Sequence, residues 1–381
     1  MSFIAGLLTC VLAGAAQASS NPTQVELLVP PAPKYAPQTP AQSAAGERTG
    51  RPLPAPEILQ PTLDPALSNF KPRYGHTLKG SLSMASSDVL PGLVRAWVAG
   101  FKRFYPNVHM TFGPPYEGTH AEAEMDHGKI DIAFVSRELK PTDIATFAAH
   151  HGYPPLSVPV SGGSYRQYGF LDAVSFFVNQ ANPVEHLSLA QLDQILSSSH
   201  LRGGSTAKTW ADVGVTGDWA THPIHVYAIK PWNGFEEFVR QRVLDVDGQR
   251  GHWRKDLHFD HLVFPIAERV AADPNGIGYA GVAFVDVPVK LISIGTEGQF
   301  LAPTYSNVAA ASYPLSRLIY ANVNRKPGSS MNPALQEFLR FVLSHQGQQA
   351  VLSEAIFLPL REFQSKAASS LIAPTSPGLH P

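Results

Sequence analysis

A single cysteine, Cys10, is all the thiol chemistry available to this chain of 381 residues. It sits in the first apolar run, so loss of that run would exclude disulfides, thiolate metal sites and a cysteine nucleophile together. Charge is scarce as well: Asp, Glu, Lys and Arg make up 15% of the residues and sum to a formal net charge of -1. That balance, with no basic run, leaves no field to attract a polyanion, and no nucleic-acid partner is expected. Beyond the first residues no apolar stretch reaches the ~20 residues that cross a bilayer, which points to a soluble mature chain. A Gly-x-Ser-x-Gly elbow, a His-Glu-x-x-His helix and a phosphate-cradling Gly-rich loop with Lys are all missing, so nothing indicates an enzyme. Histidine alone is plentiful, at 15. His252, His258 and His261 lie close in sequence, yet they lack the helical pair and fixed carboxylate of a zinc site, and neither a metal nor a cofactor is expected.

What is present begins with "MSFIAGLLTCVLAGAAQA". The apolar run from Phe3 to Ala15 ahead of Ala16-Gln17-Ala18 has the form of an export signal, 1–18, although it carries no Lys or Arg before the run. A lipid-attachment reading of Leu7-Leu8-Thr9-Cys10 would need a longer apolar run before the cysteine. A Pro-, Ala-, Gln- and Ser-rich leader, 19–73, follows without helical or strand period, and the segment 364–381 reads the same way; both are expected to be unstructured. The 44% hydrophobic composition of the whole chain suits two medium-sized cores, which belong between these segments.

Within 74–363, strand-like runs alternate with helical patterns, which argues for an α/β architecture with sheets covered by helices. Leu90, Leu93, Val94, Trp97, Phe101 and Phe104 recur at helical spacing after Ser86 and Ser87, either of which could cap the helix. "VHMTF", "IDIAFVS", "DAVSFFVN", "IGYAGVAFV" and "RLIYANVN" read as strands. Gly152 stops the helix "PTDIATFAAHH". Capping boxes mark Ser188 with Gln191 and Asn233 with Glu236, and Asn332-Pro333 opens a further helix.

Four stretches, "SSDVLPGLVRAWVAGFKRFYPNV", "GKIDIAFVSRELKPTDIATF", Asp273-Pro274-Asn275-Gly276-Ile277-Gly278-Tyr279 and "YPLSRLIYANVNRKPGSSMNPALQEFLRFVLSHQGQQAVLSEAIFLPL", together resemble the substrate-binding proteins of phosphate-type ABC importers. The likeness runs from about Ser81 to Leu360. It implies a two-lobed type II periplasmic binding protein fold, each lobe a sheet flanked by helices, with 74–172 and 318–363 in lobe 1 and 173–317 in lobe 2. "FLDAVSFFVN" and "YPLSRLIYANVN" would be the paired hinges that let the lobes close on a ligand. The likeness further implies a periplasmic or secreted monomer that captures a small ligand, phosphate or another solute, and hands it to an ABC permease of the inner membrane.

Relatives in this family hold a tetrahedral oxyanion with a Ser/Thr at the first helix, a Gly-Ser-Ser/Thr turn, a Ser-Arg or Ser-Asp pair, and an Arg followed by Ser-Gly-Thr in the second lobe. The resemblance carries these roles to Ser86, Ser87 and Asp88, to Gly118 and Thr119, to Ser136 and Arg137, and to Lys230, Asn233 and Gly234. The match is incomplete. The family's Thr falls on Val89, its Arg on Ile229 and its second Thr on Phe235, while Glu236 and Glu237 enter the first helical turn. There they are expected to satisfy the free N-H groups and to repel an anion. Helix capping and a surface ion pair are the alternative roles for the Ser and Arg residues, and packing the alternative for Trp232 and Phe235. Three ligand readings remain open: an oxyanion in a remodelled site, a different small solute, or a scaffold without transport.

Overall fold

The computed structural model describes residues 61–114, 120–165, 171–231, 234–285, 287–296 and 298–373. The export signal, most of the leader, Gly118, Thr119, Trp232 and Asn233 lie outside them.

The chain first lays down β1 (Gly80–Ser86), α1 (Pro91–Lys102), β2 (Val108–Phe112), α2 (His120–Asp126), β3 (Ile132–Val135), α3 (Pro141–His151) and β4 (Leu156–Gly162). It then crosses to β5 (Val174–Asn179), β6 (His186–Ser188), α4 (Leu189–Leu196), β7 (His225–Ile229), α5 (Gly234–Val239), β8 (His258–Asp260), α6 (Phe264–Ala272) and β9 (Gly276–Gly281). After β10 (Val289–Leu291), β11 (Ser293–Thr296), β12 (Gln299–Leu301) and α7 (Tyr305–Ala309) it returns through β13 (Leu318–Val323) to α8 (Pro333–Val342), α9 (His345–Ser353) and α10 (Glu362–Ile372). One five-stranded sheet has the order β2-β1-β3-β13-β4, a second the order β10-β5-β9-β7-β8, and β12-β11-β6 form a small third. In the first, β1 is parallel to β2 and β3, and the returning β13 is antiparallel to β3 and β4.

The apolar periods explain these layers. In α1, Leu93, Val94, Trp97 and Phe101 form one buried stripe, which meets Phe338, Leu339 and Phe341 of α8 in the core on one face of the first sheet. Ala121, Met125 and Phe147 of α2 and α3 make a smaller cluster with Ala85, Ala133 and Val135 of the strands. The second sheet has its own core around Phe176, Phe177, Ile229, Phe238 and Tyr279.

Three local expectations are revised. Ser86 and Ser87 do not cap α1: its N-cap is Leu90, without a side-chain bond, because Ser86 ends β1 and Pro91 opens the helix with no donor to satisfy. The leader's end is folded, with Leu67 and Phe70 buried and Phe70 edge-on to Phe104, Tyr105 and Phe341. The segment after Gln364 is helical to Ile372, since Ser365, Ala368 and Ile372 bury one side of it.

The two crossovers are tied together. Gly163 N donates to Arg317 O at 2.8 Å, and Val174 N to Leu315 O at 3.1 Å. A Cβ on Gly163 would stand 2.3 Å from Leu171 O and 2.9 Å from Arg317 Cβ, so only glycine fits this approach.

Candidate functional site

In open α/β sheets, ligands lie beyond the carboxyl ends of the strands, and the expected residues of the first sheet sit there. Ser86, the last residue of β1, is buried and donates to Ser87 O at 3.0 Å. Ser87 is tied to the neighbouring strand by its N, which donates to Phe134 O at 2.9 Å. The Ser87 hydroxyl is buried and has no hydrogen-bond partner among the described residues. Asp88 is exposed, and Val89 packs half-buried on the first core.

Ser136 and Arg137 follow β3 directly. Arg137 is buried, 4% exposed, which replaces the surface ion pair with an interior one. Its Nη1 donates to Glu138 O at 2.7 Å, Nη2 lies 3.6 Å from Glu122 Oε1, and Nη1 lies 3.9 Å from Asp143 Oδ2. Glu122, on the first turn of α2, has both carboxylate oxygens buried without a hydrogen bond. Burial pushes its carboxyl up to about 7 despite the opposing charge of Arg137. Sequence reasoning missed Glu122; its only signal is an acid within the short helix after the second turn.

On the second sheet the expected residues sit at and beyond the end of β7. Ile229 is fully buried, and its N donates to Tyr279 Oη at 3.2 Å, so an apolar anchor stands at the position to which the resemblance assigns an arginine. Lys230 is exposed just after β7, its N donating to Asp260 O at 2.9 Å. Gly234 opens α5 on the surface, and the half-buried Phe235 ring stacks on Tyr279 at 6.4 Å.

The expected repulsion by Glu236 and Glu237 is not what the packing favours, because both carboxylates are buried and paired with arginines. Glu236 Oε1 accepts from Arg240 Nε at 2.8 Å and from Trp253 Nε1. Glu237 accepts from Arg250 Nη1 at 2.6 Å. Burial opposes ionisation of Glu237, but the Arg250 hydrogen bonds and charge outweigh it and hold the carboxyl below its ordinary value.

Two further groups join the halves. Glu138 Oε1 accepts from Tyr320 Oη of β13 at 2.6 Å and pairs with Arg242, which lies just beyond α5 in the π-helical segment Arg240–Leu244. Arg317, ahead of β13, lays its guanidinium carbon 4.7 Å from the Phe238 ring centre and 5.9 Å from that of Phe235. Both arginines stood in plain view in the sequence, but only three-dimensional proximity gives them partners across the molecule. Among the described residues no three His, Cys, Asp or Glu side chains are grouped as a metal ion would require, and no helix is long and apolar enough to cross a membrane.

Residues 71–346 match a family model described as a PBP superfamily domain. The phosphate-binding protein PstS of Pseudomonas aeruginosa is 31% identical over 301 residues, which cover 78% of this chain and 88% of that protein. Protein SphX of Synechococcus elongatus is 25% identical over 280 residues, 72% of this chain and 76% of the relative. The crystal structure of PstS from Borrelia burgdorferi aligns with a TM-score of 0.52 at 15% identity, covering 74% of this chain and 100% of that one. At that identity the structural likeness speaks for the fold alone.

Proposed function

The chain belongs to the PBP superfamily, among the phosphate-binding proteins of ABC importers, and on that premise we propose that it is an exported receptor that captures phosphate or a related oxyanion. The ligand lies in the crevice between the two sheets, with 74–172 and 318–363 as one lobe, 173–317 as the other, and the tied crossovers as hinge. The loaded receptor, a monomer, delivers to an inner-membrane permease and turns over nothing.

The observation that carries this reading is the polar ledge on neighbouring strands β1 and β3. There the partnerless Ser87 hydroxyl and the Arg137 guanidinium, whose nearest carboxylate oxygen is 3.6 Å away, are both buried. A buried guanidinium loosely held by acids, beside a free hydroxyl, can still take hydrogen bonds to an oxyanion. A second reading, capture of a different small solute, draws support from the apolar Ile229 and the aromatic Phe235 on the opposite wall. Intrinsic tryptophan fluorescence titrated with phosphate, sulfate, molybdate and small organic acids separates the two. Saturation by an inorganic oxyanion supports the first, and response to an organic acid alone supports the second. Silence across the whole set leaves only a scaffold. Hydrolysis of a phosphoester that disappears with Ser136→Ala would make the protein an enzyme; no turnover is expected.

A further inference from the structure

Enclosed arginines among the described residues ordinarily carry their counter-charge with them. Arg137, the other buried arginine among the described residues, lies within 4.0 Å of a carboxylate oxygen, as do the half-buried Arg240 and Arg250. Arg317 is as deeply enclosed, 7% exposed, yet no described carboxylate forms an ion pair with it, and its Nε is buried without a hydrogen-bond partner. Burial pushes the guanidinium down to about 10; the more distant Asp172 and Glu138 favour its charge, and Arg137 and Arg242 oppose it. At that value it remains a cation at neutral pH. The Phe238 and Phe235 rings compensate part of the lost hydration, but an aromatic face cannot satisfy an N-H that points elsewhere.

The surroundings repeat the pattern. Ser316, the preceding residue, and Ser164, next to Gly163 on the paired crossover, both have buried hydroxyls without partners. These segments are held together by the bond from Gly163 N to Arg317 O at 2.8 Å. Two hydroxyls and an arginine Nε are therefore unsatisfied on two adjoining pieces of backbone, where buried polar groups ordinarily find partners. What the groups have in common is the ability to donate to oxygen, and the charge among them is positive.

We propose that Arg317 joins Arg137 as a second cation for the captured anion, so that this counter-charge comes from the returning crossover and not from the end of β7, where Ile229 is apolar. This rests on the oxyanion reading above and deepens it. The class of ligand is a small oxyanion with one or two negative charges. Two of its oxygens match the planar fork of the guanidinium, and the hydroxyls of the crossover take further bonds. A cation placed on the crossover touches both halves at once: its backbone is fixed to one hinge strand and its side chain lies on the α5 rings of the second sheet.

The test is calorimetric titration of the wild type, Arg317→Gln, Arg317→Lys and the exposed Arg95→Gln with phosphate and with sulfate, each variant checked for folding by thermal unfolding. Losing a charge-assisted pair predicts that Arg317→Gln binds about thirtyfold more weakly or worse. Arg317→Lys should keep part of the affinity and Arg95→Gln nearly all of it. If Arg317→Gln does not fold, the arginine Nε-H resonances of the 15N-labelled wild type decide: the peak missing in Arg317→Lys shifts on adding sulfate if the inference holds, and stays still if it does not. Wild-type binding with an unchanged Arg317→Gln overturns this inference and leaves the oxyanion reading standing. No binding by the wild type overturns both.

Discussion

At the scale of single residues, the proposed site is marked by buried polar groups whose ordinary partners are withheld. Glu122 is the plainest case, a buried carboxyl with neither oxygen hydrogen-bonded and the paired Arg137 guanidinium 3.6 Å away, beyond hydrogen-bond distance. Its folded value of about 7 stands above the ordinary 4.5, so between these the native state holds a proton that the unfolded chain has released. That contribution to stability is complete below pH ~4.5 and is lost as pH rises through ~7. Glu122→Gln should therefore leave the midpoint of thermal unfolding nearly unchanged at pH 4.5 and raise stability at pH 8 by about 3 kcal/mol at most. Equal effects at both pH values would show that the carboxyl is not held in a desolvated place. None of this was visible in the sequence, where Glu122 is one acid in "HAEAEMD". Glu236 and Glu237 teach the converse: their place at a helix start is readable, but the Arg240, Trp253 and Arg250 that claim their carboxylates come from later in the chain.

At the scale of elements, spacing and capping were legible wherever the chemistry is local. The stripe Leu93, Val94, Trp97 and Phe101 is buried as a helical period requires. Asn332 accepts from Ala334 N at 2.9 Å at the start of α8, and Gly152, at a φ of 79°, ends α3. The C-terminal helix was not legible because its reason to form is tertiary. Its Ser365 Oγ donates to Leu343 O at 2.5 Å, and Gln336 Nε2 donates to Ile372 O at 2.7 Å, while its own sequence has little helical period. Truncation after Phe363 should consequently cost about 2–5 kcal/mol, read as a lower midpoint in urea unfolding. An unchanged midpoint would return this segment to the unstructured tail that its composition suggests. Phe338, fully buried and 5.2 Å from the Phe101 ring, sets the comparison: Phe338→Ala should cost about 3–5 kcal/mol in the same experiment.

At the scale of the whole molecule, the two-sheet architecture followed from the alternation of strands and helices together with the family likeness, but the contacts that join the halves did not. Glu138, Tyr320 and Arg242 come from distant parts of the sequence and meet in one cluster. Both members of the Glu138–Arg242 pair are about a third exposed, with side chains at 30% and 31%, so the bridge is worth at most ~1 kcal/mol. That is enough to move a balance between open and closed shapes by about fivefold. Arg242→Ala should enlarge the radius of gyration of the ligand-free protein in small-angle X-ray scattering, with little change in thermal stability. An identical scattering curve would mean that the bridge does not govern closure.

Across these scales the claim in common is that the crevice takes an oxyanion although the end of β7 carries the buried, apolar Ile229. Calorimetric titration of the chain from Ser19 with phosphate at neutral pH tests it most directly. The account predicts one saturable site with a Kd on the order of 1 µM; the absence of saturable heat at millimolar phosphate, sulfate and molybdate alike would contradict it.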